Sequence, residues 1–261
     1  LTRSSAASDV YKRQNYIKDL GDDHHFNWLI GSEYQYNRII RWDGYYDSEA
    51  TGQIRETGQW VNDPLSYMEE YAFASAFTRL NYNYQGKYYA EALIRRDGSS
   101  KFGPNNKYGN FPAASVGWII SEEDFMANLP HLNYLKLKTS VGKNGNSAIP
   151  SYQWFGYYNV ANNGYAGETY RYPVIRENAN LRWETSTTYD VGLEYGFFQD
   201  RISGELAWYR KETNDMLLNV TLQGSTGFGS WWDNVGSVYN TGVEFAIKSR
   251  NIVTDNFTWT T

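Results

Sequence analysis

The 261-residue sequence predicts an all-β protein. The fold class is an antiparallel transmembrane β-barrel, present as an open fragment of about nine strands with long extracellular loops and short periplasmic turns. Three observations predict it. Apolar and polar residues alternate with a period of two in segment after segment, which gives a strand one apolar and one polar face. The segments run about 10–14 residues, the length a tilted strand needs to cross a bilayer. Longer and shorter connections alternate along the chain, as they do when one rim carries loops and the other tight turns.

The strands follow in order. Phe26, Trp28, Ile30, Tyr34 and Tyr36 alternate with Asn27, Gly31, Glu33 and Gln35. Weaker alternation covers 71–84, 88–96 and 110–120. Leu135, Leu137 and Val141 interleave with Lys136, Lys138 and Ser140. Tyr189, Val191, Leu193, Tyr195 and Phe197 interleave with Asp190, Gly192, Glu194 and Gly196. Ile202, Leu206 and Trp208 face away from Ser203, Glu205, Tyr209 and Lys211, and Val243, Phe245 and Ile247 alternate with Glu244, Ala246 and Lys248. Residues 255–261 begin a ninth strand. Long connections are expected over 38–70, 143–184 and 213–237, and tight turns at Gln85-Gly86-Lys87 and Phe198-Gln199-Asp200. The best helical candidate is Ser121–Asn128, with Ser121 as N-cap and Asp124 at N3.

Composition bounds the function. Aromatic residues make up 18%, as 24 Tyr, 12 Phe and 10 Trp, which suits interfacial girdles. The absence of cysteine excludes disulfides, thiolate metal sites and cysteine nucleophiles. Three histidines leave little for a metal centre, and a net charge of −5 argues against nucleic acid. No apolar run approaches the roughly 18 residues of a membrane-spanning helix. No Ser–His–Asp or Cys–His constellation can be assembled, so no catalysis and no cofactor are expected.

The ends are read separately. Ser4–Gln14 resembles the in-frame translation of a sequencing-library adapter, so residues 1–14 are set apart as a non-native tail. The expected domain is a partial barrel over 15–261, belonging to a longer reading frame.

Six blocks then carry a family resemblance. Arg96-Asp97-Gly98-Ser99-Ser100-Lys101-Phe102-Gly103, Phe111–Trp118, Ile120–Met126, Leu135–Gly142 followed by Asn144-Gly145-Asn146, Leu181-Arg182-Trp183-Glu184-Thr185-Ser186, and Asn240–Phe245 resemble, in order and spacing, blocks of SusC/RagA-type TonB-dependent outer-membrane transporters. Lys143, Asn144 and Thr241 depart from the family's usual residues. The resemblance implies that Arg96, Asp97, Gly98, Ser99, Ser100, Phe102, Gly103, Gly117, Trp118, Trp183, Glu184, Gly242 and Glu244 are structural. It also implies a barrel in the outer membrane of a Gram-negative bacterium, whose plug, TonB box and C-terminal strands lie outside this sequence. The implied activity is TonB-dependent import of an oligosaccharide, other glycan or peptide. The implied partners are a SusD-like surface lipoprotein, TonB with its inner-membrane motor, and outer-membrane lipid.

Loop aromatics are the candidate substrate contacts. Trp231, Trp232, Asp233 and Asn234 suit a sugar platform, since rings stack on pyranose faces and amides bond hydroxyls; loop–loop packing is the competing reading. Trp60, Tyr45, Tyr46 and Tyr165 share that status. Arg95, Arg96 and Asp97 are either solute contacts or a salt-bridged turn. Glu33, Glu194, Glu205 and Lys136 are expected on the lumenal face. Asp22-Asp23-His24-His25 reads as a short-rim turn before it reads as a metal site. A passive porin-like barrel and a surface carbohydrate-binding β protein remain the alternatives.

Overall fold

The structure, a computed structural model, describes residues 2–43, 65–161, 164 and 168–261. Its body is one antiparallel sheet of ten strands. In chain order these are β1 (Thr2–Leu20), β2 (His24–Asp43), β3 (Leu65–Tyr84), β4 (Tyr88–Ser99), β5 (Tyr108–Ile119), β6 (Leu132–Asn146), β9 (Glu184–Phe197), β10 (Ile202–Asn214), β13 (Ser237–Thr254) and β14 (Phe257–Thr260). Two small hairpins rise from the long connections: β7 (Tyr157–Ala161) with β8 (Tyr170–Ile175), and β11 (Leu217–Thr221) with β12 (Ser230–Asn234). Each main strand pairs with the next main strand along the chain, as in an up-and-down barrel wall.

Cross-strand register sorts the side chains. One row of directly paired residues reads Leu20, His24, Tyr84, Tyr88, Trp118, Leu137, Leu193, Leu206 and Phe245. All but His24 are apolar or aromatic, and the face they share stays apolar across β2–β13. Tyr189, Val191, Trp208, Val243 and Phe245 on it are 41–66% exposed. Burying a face of this kind is the driving force for lipid contact or for a second sheet, and the described residues contain no sheet against it. The apolar face of β9 therefore points outward on a single sheet, against the reading of a soluble module with a dry core.

The same row shows the shear. It lies at the short-turn ends of β2–β4, yet crosses β6 at Leu137, five residues above its start at Leu132. It crosses β13 at Phe245, nine residues from the end at Thr254. A row that climbs steadily past the rim means strands tilted to the barrel axis.

Four expectations differ from the structure. The sheet has ten strands because residues 2–14 run into β1, paired with β2 without interruption from Thr2↔Trp42 to Leu20↔His24. Backbone pairing makes no demand on side-chain identity, so the strand is silent about the origin of that segment. β2 and β3 reach 20 residues each, consuming both ends of the expected loop 38–70. The loops 143–184 and 213–237 hold the two hairpins. The Ser121–Asn128 helix is instead two single turns of 3₁₀ helix, Ile120–Glu122 and Asp124–Met126, neither with a side-chain cap. Glu123 sits extended between them (φ −84°, ψ 146°), because its carboxylate accepts bonds from Tyr88 Oη at 2.6 Å and Trp118 Nε1 at 2.9 Å.

Both tight turns form where expected. Gln85 and Gly86 have φ of 54° and 66°, and Phe198, Gln199 and Asp200 have φ of 55–60°. Positive φ at consecutive central residues is the turn that matches strand twist.

Candidate functional site at the long-loop rim

Buried apolar residues lie at the long-loop end of the sheet. Phe102, Phe111, Ile149, Leu181, Trp183 and Leu217 form one cluster, each at most 8% exposed, with Phe73, Trp154 and Trp232 packed against it. Phe73 and Phe111 come from the inward faces of β3 and β5; the others are supplied by three connections, β4–β5, β6–β9 and β10–β13. Loops drawn from distant parts of the chain are thus tied into one knot over the inner edge of the wall.

The sequence blocks explain the knot. Phe102 and Leu181 are fully buried, and the Phe102 ring lies 4.9 Å from that of Trp183. Trp183 Nε1 donates to Lys107 O at 3.0 Å. Gly103 N donates to Leu181 O at 3.2 Å, and a Cβ on Gly103 would stand 2.1 Å from Ala179 O, so this crossing needs glycine. Ser99 and Ser100 splice the β4 end to its neighbours: Ser99 N donates to Lys107 O, and Ala72 N donates to Ser100 Oγ at 2.9 Å. Glu184 accepts from Asn146 Nδ2 and Leu217 N, both at 3.0 Å. Lys101 donates Nζ to Ile149 O at 2.9 Å and lies 4.5 Å over the Tyr71 ring; burial pushes its pKa down.

The remaining block residues lie on the wall. Gly242 leaves room for the Tyr209 ring, which a Cβ would meet at 2.9 Å. Trp118 stacks on Tyr88 at 6.2 Å in the outward aromatic row. Gly117 and Glu244 line the inward trough of β4–β13 with Lys136, Lys138 and Glu205. On that inward face Lys138 bridges Glu194 at 2.8 Å and Glu205 at 2.7 Å. Arg95 joins Glu33 at 3.1 Å and Asp97 at 2.7 Å. Adjacent Arg96 points to the other face. The salt-bridged reading of Arg95 and Asp97 describes these two residues and leaves Arg96 outside it.

Trp231, Trp232, Asp233 and Asn234 are β12. Asn178 Nδ2 donates to Trp232 O at 3.0 Å and to Asp233 Oδ1 at 3.2 Å. Asn234 Nδ2 donates to Arg182 O and Asp215 O, and its Oδ1 accepts from Arg182 N at 2.9 Å. Arg182 is itself paired with Asp215 at 2.7 Å. Trp232, Asp233 and Asn234 thus hold the knot together, while Trp231 lies under the Arg176 guanidinium, 4.4 Å from the ring centroid. Trp60, Tyr45, Tyr46 and Tyr165 lie outside the described residues. Sequence reasoning overlooked the β7–β8 hairpin, whose Tyr170 and Tyr172 are 47% and 41% exposed with ring centroids 5.9 Å apart. Asn159 Nδ2 reaches Tyr172 Oη at 3.4 Å. Tyr170 and Tyr172 at alternate positions were the available signal.

At the short-turn rim His25 pairs with Asp19 at 2.7 Å and His24 stacks against Tyr82 and Tyr84. Among the described residues no group of three acidic or histidine side chains converges as metal ligands.

A sheared antiparallel wall, apolar outside and charged inside, with long knotted loops at one rim and tight turns at the other, defines a segment of an outer-membrane type β-barrel. The chain belongs to the family described as TonB dependent receptor-like, beta-barrel, whose model matches residues 2–261. It is 39% identical to TonB-dependent receptor P26 of Formosa agariphila over 94% of this chain and 25% of that protein. It is 35% identical to TonB-dependent receptor SusC of Bacteroides thetaiotaomicron, again over 94% of this chain and 25% of the relative. Among solved structures it is similar to the RagAB peptide transporter, with a TM-score of 0.80 and 30% identity over 97% of this chain and 29% of that one. The chain spans about a quarter of the length of the curated relatives it matches. These relatives are receptors and transporters, not enzymes, in agreement with the absence of catalysis expected from sequence.

Proposed function

We propose that this chain is part of the wall and mouth of a TonB-dependent importer in the outer membrane of a Gram-negative bacterium. Its rim loops contribute to capture of an oligosaccharide, other glycan or peptide. A SusD-like surface lipoprotein caps the mouth, and TonB with its inner-membrane motor supplies the work through a plug. The observation that carries this reading is the knot. It fixes loop ends rigidly over the lumenal edge while leaving Tyr170, Tyr172, Asn159 and Trp231 at its periphery, a surface of rings and amides suited to sugar faces and peptide bonds.

Uptake of labelled oligosaccharides and peptides by cells expressing the parent protein tests the reading. Uptake should need both TonB and the lipoprotein. Uptake that persists without TonB would identify a passive porin-like barrel instead.

We further infer that residues 4–14 are not native to the barrel. In β1 the outward positions opposite Ile30, Ser32 and Tyr36 are Gln14, Lys12 and Ser8. Gln14 and Ser8 stand where β2 carries Ile30 and Tyr36, and Lys12 adds a lipid-facing charge in the row of Ser32, Ala76 and Arg96; near the interface such a lysine costs about 0–1 kcal/mol.

A further inference from the structure

A groove crosses the outward face of β2–β5 below the long-loop rim. Two adjoining cavities make it: one of about 350 Å³ lined by Tyr34, Ala74, Ala76, Arg96 and Tyr108, with Val10 of β1 at its edge, and one of about 160 Å³ lined by Tyr34, Ala72, Ala74, Gly98, Lys107 and Tyr108. The register builds it. One row reads Tyr34, Ala74, Gly98, Tyr108, with two small residues between two tyrosines; the next reads Ser32, Ala76, Arg96, Asn110. With neighbouring strands about 4.8 Å apart, the two tyrosine strands stand roughly 14 Å apart. Gly98 is required, because a Cβ there would meet the Tyr108 ring at 2.5 Å.

The groove is cationic at its upper end and apolar below. The Arg96 guanidinium lies 5.1 Å over the Tyr108 ring in the larger cavity, and Lys107 lines the smaller one beside it, across that same ring. Both are exposed, and among the described residues no ion pair involves either. Arg38 and Arg210, outward near this rim, are matched by Glu70 and Glu212, while Lys143 of β6 shares that face and, among the described residues, has no ion pair. Below the groove runs the row Ile30, Thr78, Ile94, Pro112, with Ile94 60% exposed. Arg96 stands eight residues beyond Tyr88, the first residue of β4. That is roughly 26 Å along the strand and about 20 Å along the barrel axis at a tilt near 40°. The apolar band of such barrels is about 25 Å tall, so Arg96 reaches its upper edge by extending its side chain.

We propose that this groove seats a lipid with a phosphate-bearing headgroup, its acyl chain along the alanine floor and its phosphate between Arg96 and Lys107. The site rests on the reading that the outward face meets lipid. Small residues leave a channel for a chain, tyrosines border it at headgroup height, and two unmatched cations await an anion with several acceptor oxygens.

The test folds the parent protein, which carries this chain within its complete barrel, into phosphocholine vesicles containing a minor fraction of phosphatidic acid, then counts retained lipids by native mass spectrometry. Quenching of Trp28 and Trp208 by lipids brominated on their acyl chains reports insertion separately. The parent protein should retain phosphatidic acid above its share of the vesicle. R96Q/K107Q should lose that preference by about fivefold per cation. A74W, which fills the groove and keeps both cations, should lose it too, while the inward-facing K211Q should not. Equal retention by the parent protein and R96Q/K107Q, with quenching intact, would overturn the groove. Absence of quenching would overturn the membrane reading and the groove with it. Displacement of the lipid by millimolar inorganic phosphate would assign a free-anion site and overturn the lipid.

Discussion

Replacing Phe102 with alanine removes the best-enclosed ring of the rim knot. Phe102 is 0% exposed, 4.9 Å from the Trp183 ring and clustered with Leu181 and Ile149. Truncating a phenylalanine so enclosed costs about 3–5 kcal/mol, the transfer free energy plus the cavity left behind. The wall is held by its own ladders, so the loss should appear as local opening of the rim and not as global unfolding. A penalty of this size raises the open population roughly a hundredfold or more. Trypsin reads it directly, because Lys101, Lys107, Arg176 and Arg182 all lie in the knotted loops. In the detergent-folded chain, cleavage after Lys107 and Arg176 should accelerate by that factor while Arg79, within β3, stays protected. Trp183→Phe keeps most of the ring and loses the Nε1 bond to Lys107 O, so it should open the knot only several-fold, for about 1 kcal/mol. Phe125→Ala, at a 64% exposed site on the other rim, should leave the rate unchanged. Wild-type cleavage rates in Phe102→Ala would refute the knot as the element that holds the rim.

Two further predictions concern the short-turn rim and the chain start. Bonds donated by the Tyr88 hydroxyl and then by Trp118 Nε1 hold the Glu123 carboxyl below its usual range. A depressed carboxylate stabilises the fold at neutral pH, and that contribution is lost as pH falls through its folded value, below the ordinary 4.5. Amide protection factors over residues 120–132, taken relative to the intrinsic exchange rate at each pH, should therefore fall in acid, and Glu123→Gln should remove that fall; an unchanged acid response in the variant would contradict this. Resequencing the source locus should show codons other than those for residues 4–14 upstream of the barrel, ideally encoding apolar residues where Lys12 and Gln14 stand. Finding the same codons in the genome would make the segment native.

The wall was legible because its signal is local. Alternation at Tyr189–Phe197 or Val243–Ile247 reports the two faces whatever the strands later pair with. The knot was not, because its contacts are long-range: Phe102, Leu217 and the two ends of the β6–β9 connection, Ile149 and Leu181, are far apart in sequence, and only family resemblance singled out Phe102 and Trp183. Loop hairpins of five or six residues, such as Leu217–Thr221, give too short a period to distinguish from coil. The Ser121–Asn128 helix failed because tertiary bonds to Glu123 outweighed a weak local cap. Adjacent arginines also parted company: Arg95 joins the inward ion pairs and Arg96 the outward groove, a split that a strand's period of two dictates once the register is known.

The absence of cysteine from the sequence makes the central claim directly testable, since a cysteine introduced anywhere is the only label site. Spin labels placed singly along β4 in the vesicle-folded chain would be probed with oxygen, which concentrates in lipid, and with a nickel chelate, which stays in water. Positions 90, 92 and 94 should respond to oxygen and positions 91, 93 and 95 to nickel. Equal responses at neighbouring positions would contradict a membrane wall with one lipid face and one wet face.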